Sequence, residues 1–356
     1  MEDDKKNKKI AIIISPNYKD YGEKFLPDCI ASIRNQDYAG EMKVFITDNE
    51  TSAESFLFLQ KTAPEAELIL NKNNDGFAKG CNDCMRLALA QGFDFIFLVS
   101  MHSALDKSCI AELAKAAEAD PKVGVAQARL MLWGKDDVIA GIGNETHFLG
   151  FGFSGGYLKK WKGQISGIKE VFYTAGASMF FRREALLAVG LFDEEYWMYN
   201  EDQELPWRLR LNGWRVVLAP SAFAVTKYDF KRSIKKVYWM DRNRIISILI
   251  CYKLATLILI FPAFVMMEIG QILFAFLSGW LKDKLRVYWY FFQPRTWRYL
   301  YSARRRNQNL RRVKDYEIAK MITGKIAFQE LDDWKLRLVN PFFNLYWHFV
   351  KLIIFW

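Results

Sequence analysis

Cysteine and histidine are both scarce in this chain, which has five of the first and three of the second among 356 residues. An odd number of cysteines, scattered between Cys29 and Cys251, gives no disulfide framework and is typical of a reducing compartment. Cys81 and Cys84 have the spacing of a redox or zinc pair, but no second pair or histidine cluster follows them. Buried thiols are therefore the better interpretation.

The first residues lack the apolar core that is typical of a signal peptide, and we expect no comfortable membrane span in this sequence. Residues 1–9 are mostly charged and lead directly into a short β-rich run, so we expect the catalytic part to stay in the cytoplasm. Residues 245–281 are almost wholly apolar, but their longest charge-free stretch, 254–267, has 14 residues. Because a span needs about 20, two short helices in one leaflet or a hairpin fit better than one upright helix. A buried helix pair in an ordinary helical subdomain stays open as an alternative.

Acidic residues are scarce only in the last third of the chain. The formal net charge is +10, but residues 1–235 carry 30 Lys and Arg against 32 Asp and Glu, whereas residues 236–356 carry 20 against 8. This basic excess is interleaved with apolar and aromatic residues, which fits an anionic lipid surface better than a nucleic-acid groove. We expect two domains, a globular one at 1–235 and a basic, aromatic-rich, helical membrane-docking region at 236–356, and no nucleic-acid partner.

Residues 1–100 alternate between strand-like and helix-like segments, which predicts an α/β fold with a mostly parallel sheet and helices on both faces. Polar clusters follow the predicted strands at Pro16-Asn17, Asp48-Asn49, 74–76 and 100–102. In such sheets ligands bind beyond the carboxyl ends of the strands, so we expect one binding crevice at that rim. No Gly-x-Gly-x-x-Gly follows the first strand, which argues against a dinucleotide-binding oxidoreductase. Residues 171–181 are predicted to form a further, buried strand.

The acidic segment 193–204 offers the residue types that sugar transfer from a nucleotide diphosphate needs. Such a reaction requires positive charge near the departing diphosphate and a base for the acceptor hydroxyl. Glu201 and Asp202 lie at a loop-to-helix junction, and adjacent acids raise each other's pKa, which helps to make a base. They could equally serve as the N-terminal cap of a helix.

Taken together, the motifs resemble those of family 2 glycosyltransferases over about residues 8–230. Among these, the chain is similar to rhamnosyltransferase-like bacterial enzymes of cell-surface polysaccharide assembly. The motifs are Pro16-Asn17, Asp48-Asn49, Asn74-x-Gly76-Phe77-Ala78-x-Gly80-x-Asn82, Gly176-Ala177, Gly190-x-Phe192-Asp193-Glu194 and Glu201-Asp202-x-Glu204-Leu205-x-x-Arg208.

The resemblance implies a GT-A fold, an inverting mechanism, a nucleotide diphosphate sugar as donor and a polyprenyl-linked or glycan acceptor at the cytoplasmic face of the inner membrane. Asp202 would be the general base, with Glu201 as its neighbour or substitute. Gly176, Ala177 and Arg208 would border the acceptor. The implied donor-binding residues are Pro16, Asn17, Asp48, Asn49, Asn74, Gly76, Asn82, Ser100, His102 and Lys227.

The sequence departs from the family where a metal ion is expected. His102 stands in place of the metal-holding carboxylate, and Lys227 stands where the family often has a histidine. Neutral imidazole can bind Mn²⁺ but is a poor partner for Mg²⁺. Three interpretations stay open: a metal-independent transferase in which Lys227 neutralises the diphosphate, a softer metal held through His102, or a transferase fold that has lost catalysis and acts as a nucleotide-sugar-binding or scaffolding subunit.

Overall fold

The computed structural model describes residues 7–15, 22–227, 234–327 and 334–356, and the chain divides into two compact units. The first comprises 1–144, 154–197 and 214–229, and the second comprises 145–153, 198–213 and 230–356. The expected single boundary near residue 235 therefore needs correction, because two earlier segments belong to the C-terminal unit. Pro16 and Asn17 lie outside the described residues.

The first unit is built on a mostly parallel sheet, as the alternation of segments predicted; the GT-A-like strand order is the one that the resemblance implied. The strands run in the order β10-β12-β6-β11-β4-β1-β2-β3, with β5 pairing with β12 and β7 with β6. Strands β1 to β4 are mutually parallel, whereas β11 is antiparallel to both β4 and β6. The strands are β1 (Ile10–Ile14), β2 (Met42–Asn49), β3 (Glu67–Asn71), β4 (Phe95–Val99), β5 (Ser103–Leu105), β6 (Val123–Leu132), β7 (Lys135–Gly141), β10 (Lys169–Glu170), β11 (Ser178–Arg182) and β12 (Arg215–Thr226).

Apolar composition explains why β1 and β4 take the centre of the sheet. All five residues of each strand are buried, as expected for parallel strands covered by helices on both faces. The helices of this unit place their apolar stripes on the sheet, with a hydrogen-bonded capping box at Ser52 and Ser55 starting the second one. They are α1 (Glu23–Arg34), α2 (Ala53–Thr62), α3 (Phe77–Ala90), α4 (Cys109–Glu118) and α5 (Arg183–Val189).

The predicted buried strand at 171–181 is shorter than expected. Only Ser178–Arg182 is a strand, whereas residues 171–174 are buried without belonging to one and a turn occupies 176–177. The apolar run could not reveal this break, because both halves are buried and only their backbone pairing differs. All five cysteines are buried and free, as expected.

The second unit is helical apart from a short hairpin made of β8 (Asn144–Thr146) and β9 (Gly152–Ser154). The terminal residues of this hairpin, Asn144 and Ser154, are assigned to the first unit. Within the second unit α6 packs against α7 and α10, which is why the segment 198–213 belongs there. The helices are α6 (Glu201–Leu211), α7 (Ile234–Cys251), α8 (Leu254–Leu277), α9 (Leu281–Phe292), α10 (Pro294–Leu310), α11 (Asp315–Met321) and α12 (Trp334–Ile353).

The apolar region 245–281 differs from the two short helices that were expected. The end of α7 is followed at Lys253 by a break, after which α8 continues for 24 residues through Pro262 and Glu268. Among the described residues it is the one helix long and apolar enough to cross a membrane, by length and composition only. In the sequence, Glu268 ends the charge-free stretch and so suggested a shorter helix. In the structure its carboxylate is paired inside the unit with Lys284 and Arg244, and the helix continues past it.

Candidate active site

The carboxyl ends of the parallel strands bring several predicted residues to one rim of the first unit. Asp48 and Asn49 end β2, Ser100 follows β4 and Lys227 follows β12. Since β11 is antiparallel to β4, the turn at 176–177 before it lies at the same rim, and the backbone N–H of Ser100 donates to the carbonyl of Ala177 at 3.3 Å. These residues therefore lie at one rim of the sheet, and their use in a single binding crevice stays a prediction.

Asp48 is fully buried and only half satisfied. The hydroxyl of Ser55 donates to its Oδ2 at 2.6 Å, whereas its buried Oδ1 has no hydrogen-bond partner. An unpaired buried carboxylate oxygen is costly, so a donor group from a ligand would relieve it. This arrangement suits recognition of an N–H or O–H group, such as those of a nucleobase or ribose.

The asparagines near Asp48 are hydrogen-bonded to one another and to the backbone of Gly76. Asn49 accepts a hydrogen bond from the side-chain amide of Asn71 at 3.1 Å and donates to the carbonyl of Gly76 at 3.3 Å. The side chain of Asn74 accepts from the backbone N–H of Gly76 at 3.2 Å. Asn49 and Asn74 thus fix the loop that starts α3.

Gly76 and Asn82 have structural duties that explain their identity. Gly76 has φ +90°, and a Cβ there would lie 2.5 Å from the backbone oxygen and ring of Trp197. Asn82 is buried, donates to the carbonyl of Phe192 at 2.9 Å and to Glu194 at 3.0 Å, and accepts from the N–H of Phe192 at 3.1 Å. The implied donor contact of Asn82 is corrected to a link between α3 and the 192–194 segment, because its side chain is already occupied.

His102 and Lys227, the two positions at which the resemblance implies altered metal ligands, lie side by side. The backbone N–H of Lys227 donates to the carbonyl of His102 at 2.9 Å. The His102 ring is hydrogen-bonded to the hydroxyl of Ser100, and burial lowers the pKa of the imidazole to about 4. The ammonium of Lys227 pairs with Asp28 and lies 3.9 Å from the ring centroid of Trp133. This corner therefore presents a neutral imidazole beside a fixed positive charge.

The donor set at this corner does not suit a divalent ion. Over the described ranges, no three His, Cys, Asp or Glu side chains gather as they would around a metal. His102 is a single neutral nitrogen, and the carboxylate of Asp28 is engaged by Lys227. A Mg²⁺ or Mn²⁺ ion would normally draw on several oxygen ligands.

Residues 12–187 match the family model described as glycosyl transferase family 2. The match covers the strands from β1 to β11 and their rim, including Asp48, Ser100 and His102, but ends before α6 and Lys227. The matched segment, 176 of 356 residues, is therefore similar to family 2 glycosyltransferases. No curated protein sequence matches the chain.

Solved structures are similar to this chain, and the first of them shares its fold. GalNAc-T7 with UDP, GalNAc and Mn²⁺ is similar with a TM-score of 0.53 and 10% identity, over 69% of this chain and 48% of that one. Staphylococcus aureus TarS 1–349 with UDP has a TM-score of 0.49 and 14% identity, over 97% and 90% of the two chains. A longer S. aureus TarS chain gives 0.46 and 18%, over 66% and 39%. The chain thus spans about half the length of GalNAc-T7 and less of the longer TarS.

The acid pair belongs to the second unit, where the two residues differ sharply. Glu201 is buried, its Oε2 has no hydrogen-bond partner, and burial together with the charge of Asp202 raises its pKa well above the usual value. Asp202, next to it at the first turn of α6, is partly exposed. Burial thus favours the protonated form of Glu201, whereas Asp202 is the partly exposed member of the pair.

The backbone that leads into the acid pair is strained and held from α7. Tyr199 and Asn200 have φ of +67° and +65°, a conformation that costs non-glycine residues free energy. The buried side-chain amide of Asn243 donates to the carbonyls of Met198 and Tyr199 at 2.9 and 2.7 Å. Nothing in the sequence marked Asn243, because the contact joins positions more than forty residues apart.

The implied acceptor contact of Arg208 is also corrected. Arg208 is 1% exposed and forms a two-bond ion pair with Glu204, at 3.0 and 2.6 Å, one turn earlier on α6. Because Glu204 already accepts from its Nε and Nη2, this guanidinium stabilises the helix instead of presenting those donors to an acceptor. Gly176 and Ala177 are partly exposed at the rim and remain candidates.

Proposed function

We propose that this protein is an inverting glycosyltransferase that passes a sugar from a nucleotide diphosphate donor to an acceptor held at a membrane. The observation that carries the proposal is the rim of the first unit, where the unpaired Oδ1 of Asp48 and the cation of Lys227 lie at the ends of strands of one sheet. A nucleoside recognised by Asp48 and a diphosphate near Lys227 would use both features. The UDP in the GalNAc-T7 structure is a ligand of this class.

We assign the general base to Asp202 and a supporting role to Glu201. A base must be ionised and reach the acceptor, and the raised pKa and burial of Glu201 disfavour it in both respects relative to the partly exposed Asp202. A protonated Glu201 can donate a hydrogen bond or adjust the charge of the pair, while Asp202 takes the acceptor's proton.

We further propose that the reaction needs no metal ion. Lys227 would supply the positive charge near the departing diphosphate, worth roughly 4 kcal/mol for an ammonium at about 4 Å in an effective dielectric near 20. The neutral His102 beside it adds no opposing charge and can donate a hydrogen bond, although the ammonium is also paired with Asp28. The finer assignments, namely rhamnose from dTDP-rhamnose, a polyprenyl-linked acceptor of cell-surface polysaccharide assembly and the cytoplasmic membrane face, rest on the sequence resemblance.

Release of nucleoside diphosphate from a panel of dTDP-, UDP- and GDP-sugars, with and without EDTA, tests the proposal. We expect one donor class to be turned over in EDTA and the Asp202→Asn variant to lose at least about 100-fold in rate, as for loss of a general base. Asp137→Asn, an exposed carboxylate paired with Lys160, is the matched control and should keep full activity.

The second candidate function is a transferase fold that binds a nucleotide sugar without turning it over. The replacement of the expected metal carboxylate by His102 favours it. Calorimetric binding of a nucleotide diphosphate, with no release from any donor in the presence of EDTA, Mg²⁺ or Mn²⁺, would establish this candidate in place of the first.

A further inference from the structure

We infer that α8 and α12 embed their exposed faces in one leaflet of an anionic membrane, with α8 lying along the bilayer plane instead of crossing it. The inference concerns the second unit alone and stands whether or not the transferase proposal holds. It specifies which residues would enter the lipid and how deeply.

The polarity of α8 is inverted relative to a helix that faces water. Its inward residues include Thr256 and Glu268, both buried and polar. All 13 of its exposed residues are non-polar, over the full length of the helix. A water-facing helix shows the opposite arrangement, and a continuous apolar surface of this size marks an interaction site. The exposed residues are Leu254, Ala255, Ile258, Phe261, Pro262, Val265, Met266, Ile269, Gly270, Ile272, Leu273, Phe276 and Leu277.

The charges packed on the middle of α8 exclude a crossing orientation. Glu268 lies within one turn of the helix midpoint, and its Oε2 is 2.7 Å from the buried ammonium of Lys284 on α9. Lys282 and Arg286, two residues to either side on α9, are exposed. If α8 stood upright, these two cations would lie near the centre of the hydrocarbon, which is costly and too deep for their side chains to reach the headgroups. With α8 in the membrane plane, neither cation enters the lipid core.

The neighbouring helix α12 carries a second exposed apolar stripe. Leu338, Phe342, Leu345, Phe349 and Leu352 recur at spacings of four and three residues and are all more than half exposed. The stripe lies beside exposed polar residues such as Asn344 and His348. An exposed apolar stripe next to an exposed polar one is typical of an amphipathic helix at a membrane interface.

Hydrogen bonds join α12 and the residues after it to α8. The Tyr346 hydroxyl donates to the carbonyl of Leu259 at 2.5 Å, and the indole N–H of Trp356 donates to the Thr256 hydroxyl at 2.9 Å. The two apolar faces thus belong to adjacent helices, and an embedded surface can include both.

The residues around these faces identify the occupant as anionic lipid. Trp289, Trp297 and Tyr301 are exposed on α9 and α10, and Arg286 and Arg298 are exposed on the same helices. Indole and phenol rings favour the headgroup region, and arginine meets anionic headgroups there. Residues 236–356 carry 20 Lys and Arg against 8 Asp and Glu, which complements such a surface. A second copy of this chain would present the same excess of positive charge.

Co-sedimentation with vesicles of phosphatidylcholine and phosphatidylglycerol measures the docking. We expect binding that weakens as phosphatidylglycerol is removed, and a partition constant at least about tenfold lower for Ile258→Ser/Ile269→Ser. Leu57→Ser/Leu187→Ser is the matched control, because these two leucines of the first unit are equally exposed, at 64% and 60% against 64% and 63%. The control should bind like the parent.

Labelling at three positions of α8 separates the two orientations. Ile258→Cys, Ile269→Cys and Phe276→Cys lie on one stripe that covers 18 residues, or about 27 Å of helix. The five native cysteines are buried, so a fluorophore would react at the introduced thiol. A helix in the membrane plane gives the same shallow depth at all three positions by quenching with spin-labelled lipids, whereas a crossing helix gives depths that differ by many ångströms.

Each outcome decides the inference. Unequal depths would contradict the in-plane orientation of α8. Equal vesicle binding of the Ile258→Ser/Ile269→Ser variant and the parent would show that the exposed face of α8 is not the surface that binds lipid. A lipid-free dimer that is lost in that same variant, without vesicle binding, would assign the face to a second copy of the chain. Repeating the vesicle assay with Asp202→Asn, which should bind normally, keeps this result separate from the transferase activity.

Discussion

The backbone N–H of Lys227 donates to the carbonyl of His102 across the pair of strands β5 and β12, at 2.9 Å. The two positions at which the sequence departs from the pattern it resembles are thus adjacent in the structure. We propose that the ammonium of Lys227 supplies part of the charge that a divalent ion would bring in the proteins the chain resembles.

The first prediction concerns this charge. Lys227→Ala should lower turnover roughly 100-fold or more in EDTA, because up to about 4 kcal/mol of charge stabilisation is removed. Lys43→Ala, a half-exposed lysine paired with Glu67, should leave turnover unchanged. Steady-state kinetics with and without Mn²⁺ checks both. Complete loss of parental activity in EDTA would instead require a metal and contradict the assigned role of Lys227.

The second prediction concerns recognition of the nucleoside by Asp48. Asp48→Asn should weaken binding of the cognate nucleoside diphosphate roughly 10- to 100-fold, the equivalent of a hydrogen bond to a charged acceptor. Isothermal titration calorimetry measures this, with Asp137→Asn as the control. An unchanged dissociation constant in Asp48→Asn would mean that the unpaired Oδ1 faces no ligand.

The third prediction tests Gly76 as a packing requirement. Gly76→Ala should reduce the free energy of unfolding by about 1–3 kcal/mol more than Gly163→Ala, because the new methyl group would overlap Trp197. Gly163 also has a positive φ, +69°, but a Cβ there meets nothing within 4 Å, so it isolates the backbone contribution. Urea denaturation measures the difference. Equal decreases in the free energy of unfolding in the two variants would show that Trp197 moves aside without destabilising the fold.

The fourth prediction assigns Asn243 a positioning role for the acid pair. Asn243→Asp removes both hydrogen-bond donors to the strained 198–199 backbone while keeping the side-chain shape. We expect kcat to fall about tenfold with the donor KM unchanged, as for a group that orients a catalytic residue. Ser247→Ala, one turn further along α7, is the control. A similar fall in kcat in that control would contradict a positioning role for Asn243 and attribute the effect to the packing of α7.

The fifth prediction concerns the buried charges of the second unit. The Lys284 ammonium lies 2.6 Å from Asp241 and 2.7 Å from Glu268, with no exposed surface. Lys284→Met should destabilise the fold by about 3–5 kcal/mol, because it leaves buried carboxylates short of a cation. Lys282→Met, two residues away and exposed, should change stability by less than about 0.5 kcal/mol. Thermal and urea denaturation of the two variants gives the comparison.

Local patterns in the sequence sufficed for much of the first unit. The buried runs of β1 and β4, the polar residues that end the strands and the helix after Gly76 follow from hydrophobic patterning and turn chemistry, which depend on neighbouring residues. The same patterns could not tell a ligand-binding asparagine from Asn82, since both are polar residues beside a predicted rim and differ only in what contacts them.

By itself the sequence determined the alternation of strands and helices, the rim at which Asp48 and Ser100 both lie, and the concentration of positive charge after residue 235. Only the tertiary structure decided that Lys227 lies beside His102, that Glu201 is buried while Asp202 is partly exposed, and that Arg208 forms a buried ion pair with Glu204. It also decided that α8 continues through Glu268. The physical reason is common to all four: burial and pairing with residues distant in the chain set the state of a charged group, and neither is encoded in its immediate neighbours.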